Sequence, residues 1–337
     1  MERVFESLEE AVEFFRDKDY KDVLYNTADI VVSGNEMLTI GGGEFNYSLD
    51  FIASLFKYTK LPKRNENVLP TENVLNDLNT ILRNNAEEVK IRFVDGVAFS
   101  IFPTNGKGIK LPLTNKMFLE VLSEELECEQ VKIELCDSFL RFSGVFENYL
   151  VETDDTTYAI GIDVTNGESY KSNPITINSH IIDMSTNDAV VMPLLDKPMK
   201  IGAAYKPEKI KEKLKTELKK RININLVRQR FDRIKAFELN DEIIRVLFSG
   251  TKFLPIASRE DFFSPFFKSD ENGKMTSIVD KNSIINKMTV DIIKELIAIV
   301  SAERQNIDSE NRYKADCFVG SLYSENNKKF NEALLAV

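Results

Sequence analysis

At 337 residues, with 43% hydrophobic and 29% charged residues, the chain can bury a sizeable core and has neither a disordered nor a collagen-like composition. Its 44 Lys and Arg against 54 Asp and Glu give a net charge of -10, which excludes a globally basic DNA-coating protein but constrains no single face. Three scattered cysteines, Cys128, Cys136 and Cys317, exclude a disulfide framework, and no Cys-x-x-Cys pair offers a zinc site. Residues 1–16 are acidic and amphipathic, unlike a signal peptide, and no apolar run approaches the roughly 18 residues of a membrane span. A soluble intracellular chain with no cofactor, metal or membrane partner is the expectation.

Phe5, Leu8, Val12 and Phe15 recur at helical spacing opposite Glu9, Glu10 and Glu13, predicting a helix over 5–17. The apolar run Ile30-Val31-Val32 follows, and Gly41-Gly42-Gly43 then breaks local structure. Leu49, Ile52, Ala53 and Phe56 predict a second helix over 47–58 with Ser48 as its cap, ended by Leu61-Pro62. Leu75, Leu78 and Leu82 mark a third. The period then switches: residues 89–101 alternate on both sides of Asp95-Gly96, a pair that tolerates the positive backbone angles of a tight hairpin turn.

Helical spacing returns over 114–126, and a second alternating pair pivots near Asp137-Ser138. Strands are predicted over 157–164 and 174–182, so that 86–195 reads as an antiparallel sheet with one inserted helix. Beyond Pro198 the composition changes. Pro207 suits a first helical turn, and Ile210, Leu214, Leu218 and Ile222 form one narrow apolar stripe on a heavily charged helix. Helices continue through Met288 to Val300 and over 313–335. The fold class is α+β: amino-terminal helices, a central mostly antiparallel sheet and a helical carboxy-terminal portion. A mixed unit over 1–197 and a mostly helical 198–337 form either one domain or two, with the seam near Pro198.

Catalytic chemistry is sparse. Gly41-Gly42-Gly43 and Gly106-Lys107-Gly108 lack the spacing of a phosphate-binding loop and read as turns. His180 is the only imidazole, and on a strand its neighbour Ser179 points to the opposite face, so the two do not pair. The acidic groups Glu124-Glu125-Leu126-Glu127 and Glu152-Thr153-Asp154-Asp155 match no calcium loop and read as a solvated helix end and a solvated turn. Cys128 and Cys136 read as packing residues. A protein that is not an enzyme is expected.

Charge is distributed unevenly. Fourteen positive residues lie between Lys197 and Lys235 against four negative, Glu208, Glu212, Glu217 and Asp232. That segment carries +10, which leaves -20 for the rest of a chain whose total is -10. Lys209, Lys213, Lys220, Arg221, Arg228 and Arg230 are the candidate phosphate contacts of a DNA- or RNA-associated surface, because each neutralised phosphate releases counterions. The competing reading is a solvated helix whose lysines pair with acidic parts of the molecule. Phe93, Phe99, Phe139 and Phe142 suit a core better than base stacking. Phe262, Phe263, Phe266 and Phe267, packed around Pro265, form either a partner-docking segment, which implies an oligomer or a phage or host protein partner, or a buried plug.

Several stretches also carry a likeness in their order: Tyr47-Ser48-Leu49-Asp50-Phe51 leading to Leu61-Pro62; residues 91–100; Tyr158 to Val164 followed by Thr165-Asn166-Gly167-Glu168; and Lys287 to Ile293 before the last helices. Over about 45–320 the chain resembles a phage- and plasmid-encoded family of uncharacterised proteins, the one carrying domain of unknown function 932. It departs from that pattern in having Asn166-Gly167-Glu168 for Asn-Ser-Glu, and Thr186-Asn187-Asp188 for Cys-Asn-Gly. The resemblance implies a phage or plasmid setting, hence a bacterial cytoplasm or a virion, and it implies no activity or catalytic residues. The sequence thus leads to a non-enzymatic nucleic-acid-associated protein, with assembly or host interaction through protein contacts as the alternative.

Overall fold

Caps and turns set most of the element boundaries. The computed structural model describes residues 3–34, 36–61, 70–104, 111–136, 139–153, 156–170, 172, 175–184, 191–202, 206–220, 223–269 and 275–336, with the backbone alone at 191–197, 268–269 and 275–278. Strand β1 (Arg3–Phe5) precedes helix α1 (Leu8–Arg16), which starts where the Ser7 hydroxyl accepts the Glu10 N–H. The predicted first helix therefore begins three residues late, and Phe5 belongs to a strand. β2 (Tyr20–Asn26) leads to a meander of β3 (Ile30–Val32), β4 (Met37–Ile40) and β5 (Gly43–Asn46). Gly41 and Gly42 hold φ of +55° and +86° between the paired ends Ile40 and Gly43, so the glycine run turns a hairpin.

Helix α2 (Leu49–Thr59) is capped by Ser48, whose hydroxyl accepts the Phe51 N–H, and α3 (Glu72–Asn85) follows. β6 (Glu88–Val94) and β7 (Val97–Pro103) form the expected hairpin, with Asp95 at φ +52° and Gly96 at +80°. β2 pairs along β6, giving a three-stranded sheet β2-β6-β7 that shares a core with α2, α3 and the meander through Leu38, Phe51, Leu55, Leu82 and Ile91. This corrects the single sheet expected over 86–195. The 89–101 hairpin closes its own sheet because β2 occupies the open edge of β6, and the central sheet begins only after the next helix.

That helix, α4 (Asn115–Glu125), is capped by the Thr114 hydroxyl. β8 (Glu129–Leu135), β9 (Leu140–Glu152), β10 (Thr157–Asn166), β11 (Ile175–Asp183) and β12 (Val191–Ile201) then join β1 in a six-stranded antiparallel sheet of order β1-β8-β9-β10-β11-β12. Register divides its faces. Phe5, Ile133, Phe142, Val164, Ile177 and Met199 form one row across all six strands, and α1, α4 and α5 (Pro207–Leu218) pack on that side. Of the predicted stripe, Ile210, Leu214 and Leu218 are buried there, and Ile222 lies outside the described residues. The adjacent row Glu134, Arg141, Thr165 and Thr176 points the other way, as do Ser143, Asp163 and Asn178.

The rest is mostly helical: α6 (Ile224–Lys235), α7 (Asp241–Gly250), α8 (Ile256–Phe263), a hairpin of β13 (Phe267–Ser269) and β14 (Met275–Val279), then α9 (Thr289–Ala302), α10 (Ser309–Leu322) and α11 (Lys328–Leu335). The helical stretch expected over 313–335 is α10, which starts earlier, at Ser309, followed by α11. These elements build a second core that takes in Val151, Tyr158, Ile160 and Ile181 from one end of the sheet. Tyr158 stacks on Phe231 at 4.3 Å and 15°, a pair worth roughly 0.5–1.5 kcal/mol beyond the area it buries. Pro198 lies inside β12, and α5 shares the core of the amino-terminal half, so the change of core falls between α5 and α6.

Gly161 on β10 sits where β9 and β10 approach through a bulge. A Cβ there would lie 1.9 Å from the Gly144 carbonyl oxygen and 2.7 Å from Val145 Cα. Gly161→Ala is expected to destabilise the chain by about 3 kcal/mol in urea unfolding. Gly34→Ala, with nothing within 4 Å, should stay within about 0.5 kcal/mol of the parent.

Candidate functional site

The basic segment is two helices, and α4 claims part of its charge. Lys211 pairs with Glu120 at 3.4 Å, Lys215 with Glu124 at 2.7 Å and Glu125 at 3.1 Å, and Lys219 with Glu125 at 3.1 Å. Lys219 and Lys215 together hold the Glu125 carboxyl below its ordinary range. The 124–127 acidic group is thus partly an ion-pair partner, which corrects its reading as a solvated helix end. On the other flank of the apolar stripe lie Lys206 and Lys209, exposed, and Lys213, half-buried with an interaction of its own. Lys220 is exposed and pairs with Glu217.

On α6, Arg228 and Arg233 are exposed. Arg230 is 7% exposed, packed beside α10 and α11, and burial lowers its pKa. Its burial leaves it no face for a phosphate, contrary to the expectation from the sequence. Arg221 lies outside the described residues, as do Asp137-Ser138, Gly106-Lys107-Gly108, Asp154-Asp155 and Thr186-Asn187-Asp188.

The aromatic segment is a plug. Phe263, Phe266 and Phe267 are buried in the second core, and Phe262 packs half-buried against it, with Phe248 edge-on to Phe263 at 5.2 Å. The expected docking surface is corrected accordingly: three of the four rings are inside the core, and only part of Phe262 reaches water. Phe93 and Phe142 are buried core residues, while Phe99 and Phe139 are half-buried.

Two clusters of charge inside the protein went unnoticed in the sequence. The first covers the polar side of the central sheet. Arg141, 1% exposed, donates from Nε to Asp163 at 2.7 Å and from Nη1 to Asp316 of α10 at 2.7 Å, with Glu134 at 3.4 Å. Arg304 completes it by donating to Asp316 at 2.8 Å, and the Tyr313 ring lies 4.8 Å from the Arg141 guanidinium. Burial raises the Asp163 carboxyl to about 6 against the pull of Arg141. Burial and the Arg141 charge push His180 down to about 3, although a contact with the Ile162 backbone works the other way. His180 is fully buried, and neither ring nitrogen meets hydrogen-bond geometry among the described residues. It is a neutral packing residue beside a fixed cation, with Ser179 on the other face as its strand position predicts. Cys317, pushed up to about 12 by burial, is an inert thiol.

The second cluster joins the amino-terminal unit to the central sheet. Arg92, 2% exposed, clamps Asp22 through two bonds of 2.9 and 3.1 Å and donates to the Glu168 and Pro112 carbonyls. The Glu168 carboxylate accepts the Asn115 N–H at 2.7 Å at the start of α4, where Asn166 also donates to the Asn115 side chain at 2.8 Å. Burial raises the Glu168 carboxyl, while Arg92, the Asn115 amide and the Tyr20 hydroxyl act against it. The signal available in the sequence was Asn166-Gly167-Glu168 at the end of a strand, but nothing there named the partners. Among the described residues no group of three or more His, Cys, Asp and Glu side chains could hold a metal ion, and no helix is long and apolar enough to cross a membrane.

No protein-family model, curated protein or solved structure matches the chain.

Arg141→Ala leaves the buried Asp163 without its cation and takes one partner from Asp316 and Glu134, which keep Arg304 and Lys132, and is expected to cost about 3–5 kcal/mol in urea unfolding. The pH dependence has two opposed limbs. The folded pKa of His180 lies below its usual 6.5, so its contribution is present above that value and is lost as pH falls toward about 3. The raised Asp163 contributes stability present below 3.8 and lost as pH rises through about 6. Between about pH 7 and pH 4 the unfolding midpoint of His180→Leu should fall less steeply than that of the parent. Equal slopes would mean that His180 titrates alike in folded and unfolded chains.

Proposed function

We propose that the chain is a non-enzymatic protein of a phage or mobile element, working in a bacterial cytoplasm, that associates with nucleic acid through the outer flanks of α5 and α6. One observation supports this reading. After α4 has taken Lys211, Lys215 and Lys219, the surface still presents Lys206, Lys209, Arg228 and Arg233, none of them paired with a carboxylate among the described residues. Exposed guanidinium and ammonium groups on consecutive helices suit a phosphate backbone, which carries charge at regular spacing and no sequence information. The acidic remainder of the molecule repels a strand elsewhere and so orients its approach. The alternative, assembly or host interaction through protein contacts, would use the same basic helix together with the aromatic segment, and burial of Phe263, Phe266 and Phe267 weighs against the second of these.

Fluorescence anisotropy with single- and double-stranded DNA across a salt series tests the reading. Four phosphate contacts predict a slope of log affinity against log salt of about -3.6 on duplex. The triple variant Lys209→Glu, Arg228→Glu, Arg233→Glu should lose binding and remain folded. Lys211→Glu with Lys215→Glu should instead lower thermal stability and leave the salt slope unchanged. No binding at low salt, or binding that survives the triple variant, would sink the proposal, and co-purification of a protein in place of nucleic acid would favour the alternative.

A further inference from the structure

Strand β2 is a sheet edge. It pairs with β6 on one side and, among the described strands, with none on the other, and its register with β6 runs unbroken from Tyr20 to Asn26. The ends of this ladder fix which way its backbone points. The Thr27 N–H donates to the Glu87 carbonyl at 2.8 Å and the Asp95 N–H to the Asp19 carbonyl at 2.9 Å, so the odd-numbered residues of β2 face β6. Tyr20, Asp22 and Leu24 therefore turn both N–H and C=O to the open edge. Asn26 turns only its N–H there, because its carbonyl begins the 3-10 turn over Thr27–Asp29. Among the described residues nothing bonds to these outward groups.

Edge strands in monomeric proteins are blunted by shortness, proline, bulges or charge. β1 is three residues long and β12 carries Pro193 and Pro198, whereas β2 has seven residues, no proline and no bulge. Its one lysine, Lys21, is paired with Asp19 at 2.6 Å. At the centre of the strand Val23 is 36% exposed and Leu24 47%. The strand is also held in place from behind: Arg92 clamps Asp22, and the Tyr20 hydroxyl bonds to Glu168. An edge fixed in this way loses little freedom when another strand pairs with it.

We propose that β2 is the contact between two copies of this chain, their open edges pairing antiparallel about a twofold axis at Val23. The strand is complementary to itself there. Asp22 lies opposite Leu24 of the other copy and exchanges two bonds with it, and the Asn26 N–H reaches the Tyr20 carbonyl. Val23 meets Val23 in the closer, non-hydrogen-bonded position and Lys21 meets Tyr25, so no like charges face each other. Other registers lose this match. With the axis at Asp22 two carboxylates stand opposite one another, and with the axis at Leu24 Tyr20 falls opposite Ala28, outside the strand. The contact joins two three-stranded sheets into one. It uses neither α5 nor α6 and stands or falls without the nucleic-acid reading.

Analytical ultracentrifugation of the full-length chain across a concentration series should show a species of twice the chain mass that grows with concentration. Leu24→Pro removes an outward N–H and leaves the ladder to β6 intact, and Val23→Lys sets two ammonium groups on the axis. Each should weaken dimerisation by about tenfold or more, with circular dichroism to verify the fold. Val23→Cys tests the register. Its Cα atoms lie about 4.5 Å apart across the axis, so mild oxidation should cross-link two copies, whereas Leu24→Cys is out of disulfide reach and should not exceed the parent. Arg228→Glu should dimerise as the parent does. A chain that stays monomeric at every concentration, a dimer that survives both Leu24→Pro and Val23→Lys, or equal cross-linking by Val23→Cys and Leu24→Cys would overturn the assignment.

Discussion

Arg141 holds a full positive charge at 1% exposure, and the arrangement of the central sheet follows from keeping that charge compensated. A guanidinium removed from water is tolerable only with carboxylates at hydrogen-bond distance, and these come from three places: β8 supplies Glu134, β10 supplies Asp163 and α10 supplies Asp316. The last lies 175 residues away along the chain, so one side chain fixes the carboxy-terminal helices to the sheet. The sheet is therefore covered in two different ways. One side is closed by apolar contact with α1, α4 and α5, which tolerates small shifts, and the other by a directional ionic network, which does not.

Helix α4 connects the remaining parts. Its first turn donates to the Glu168 carboxylate, which links it to the amino-terminal unit through Arg92, and its acidic flank pairs with the lysines of α5. The contrast between a basic segment and an acidic body is thus partly internal adhesion. Lysines spaced four apart on α5 meet glutamates of α4, while those on the opposite flank face outward. Exposed pairs of this kind contribute modestly to stability, about 0–1 kcal/mol each, so their main effect is to decide which face of the basic helix remains available.

What was legible in the sequence was local. The Asp95-Gly96 hairpin, the Ser48 cap and the 210/214/218 stripe each depend on residues within a few positions of one another, and each was read correctly. β12 was missed because Pro193 and Pro198 argue against a strand. They are accommodated because β12 is an edge of the sheet, where a missing backbone donor goes unnoticed. β2 was missed because its exposure does not alternate cleanly; pairing with β6 defines it. The charged clusters were hidden for another reason. Arg92 meets Asp22 across 70 positions and Lys215 meets Glu124 across 91, and no periodicity in a single sequence encodes such pairs.

The two coverings of the central sheet also differ in when they can form on a growing chain. The core of α2, α3 and the small sheets is complete within the first 101 positions, and the apolar side of the central sheet can close once α5 has been made. The polar side must wait for α10. Until Asp316 emerges, Arg141, Asp163 and Glu134 face water, where charges are at no disadvantage and an open sheet face is not sticky. A face built of ionisable groups can stand uncovered through most of synthesis, and the same groups make its final closure specific to one helix.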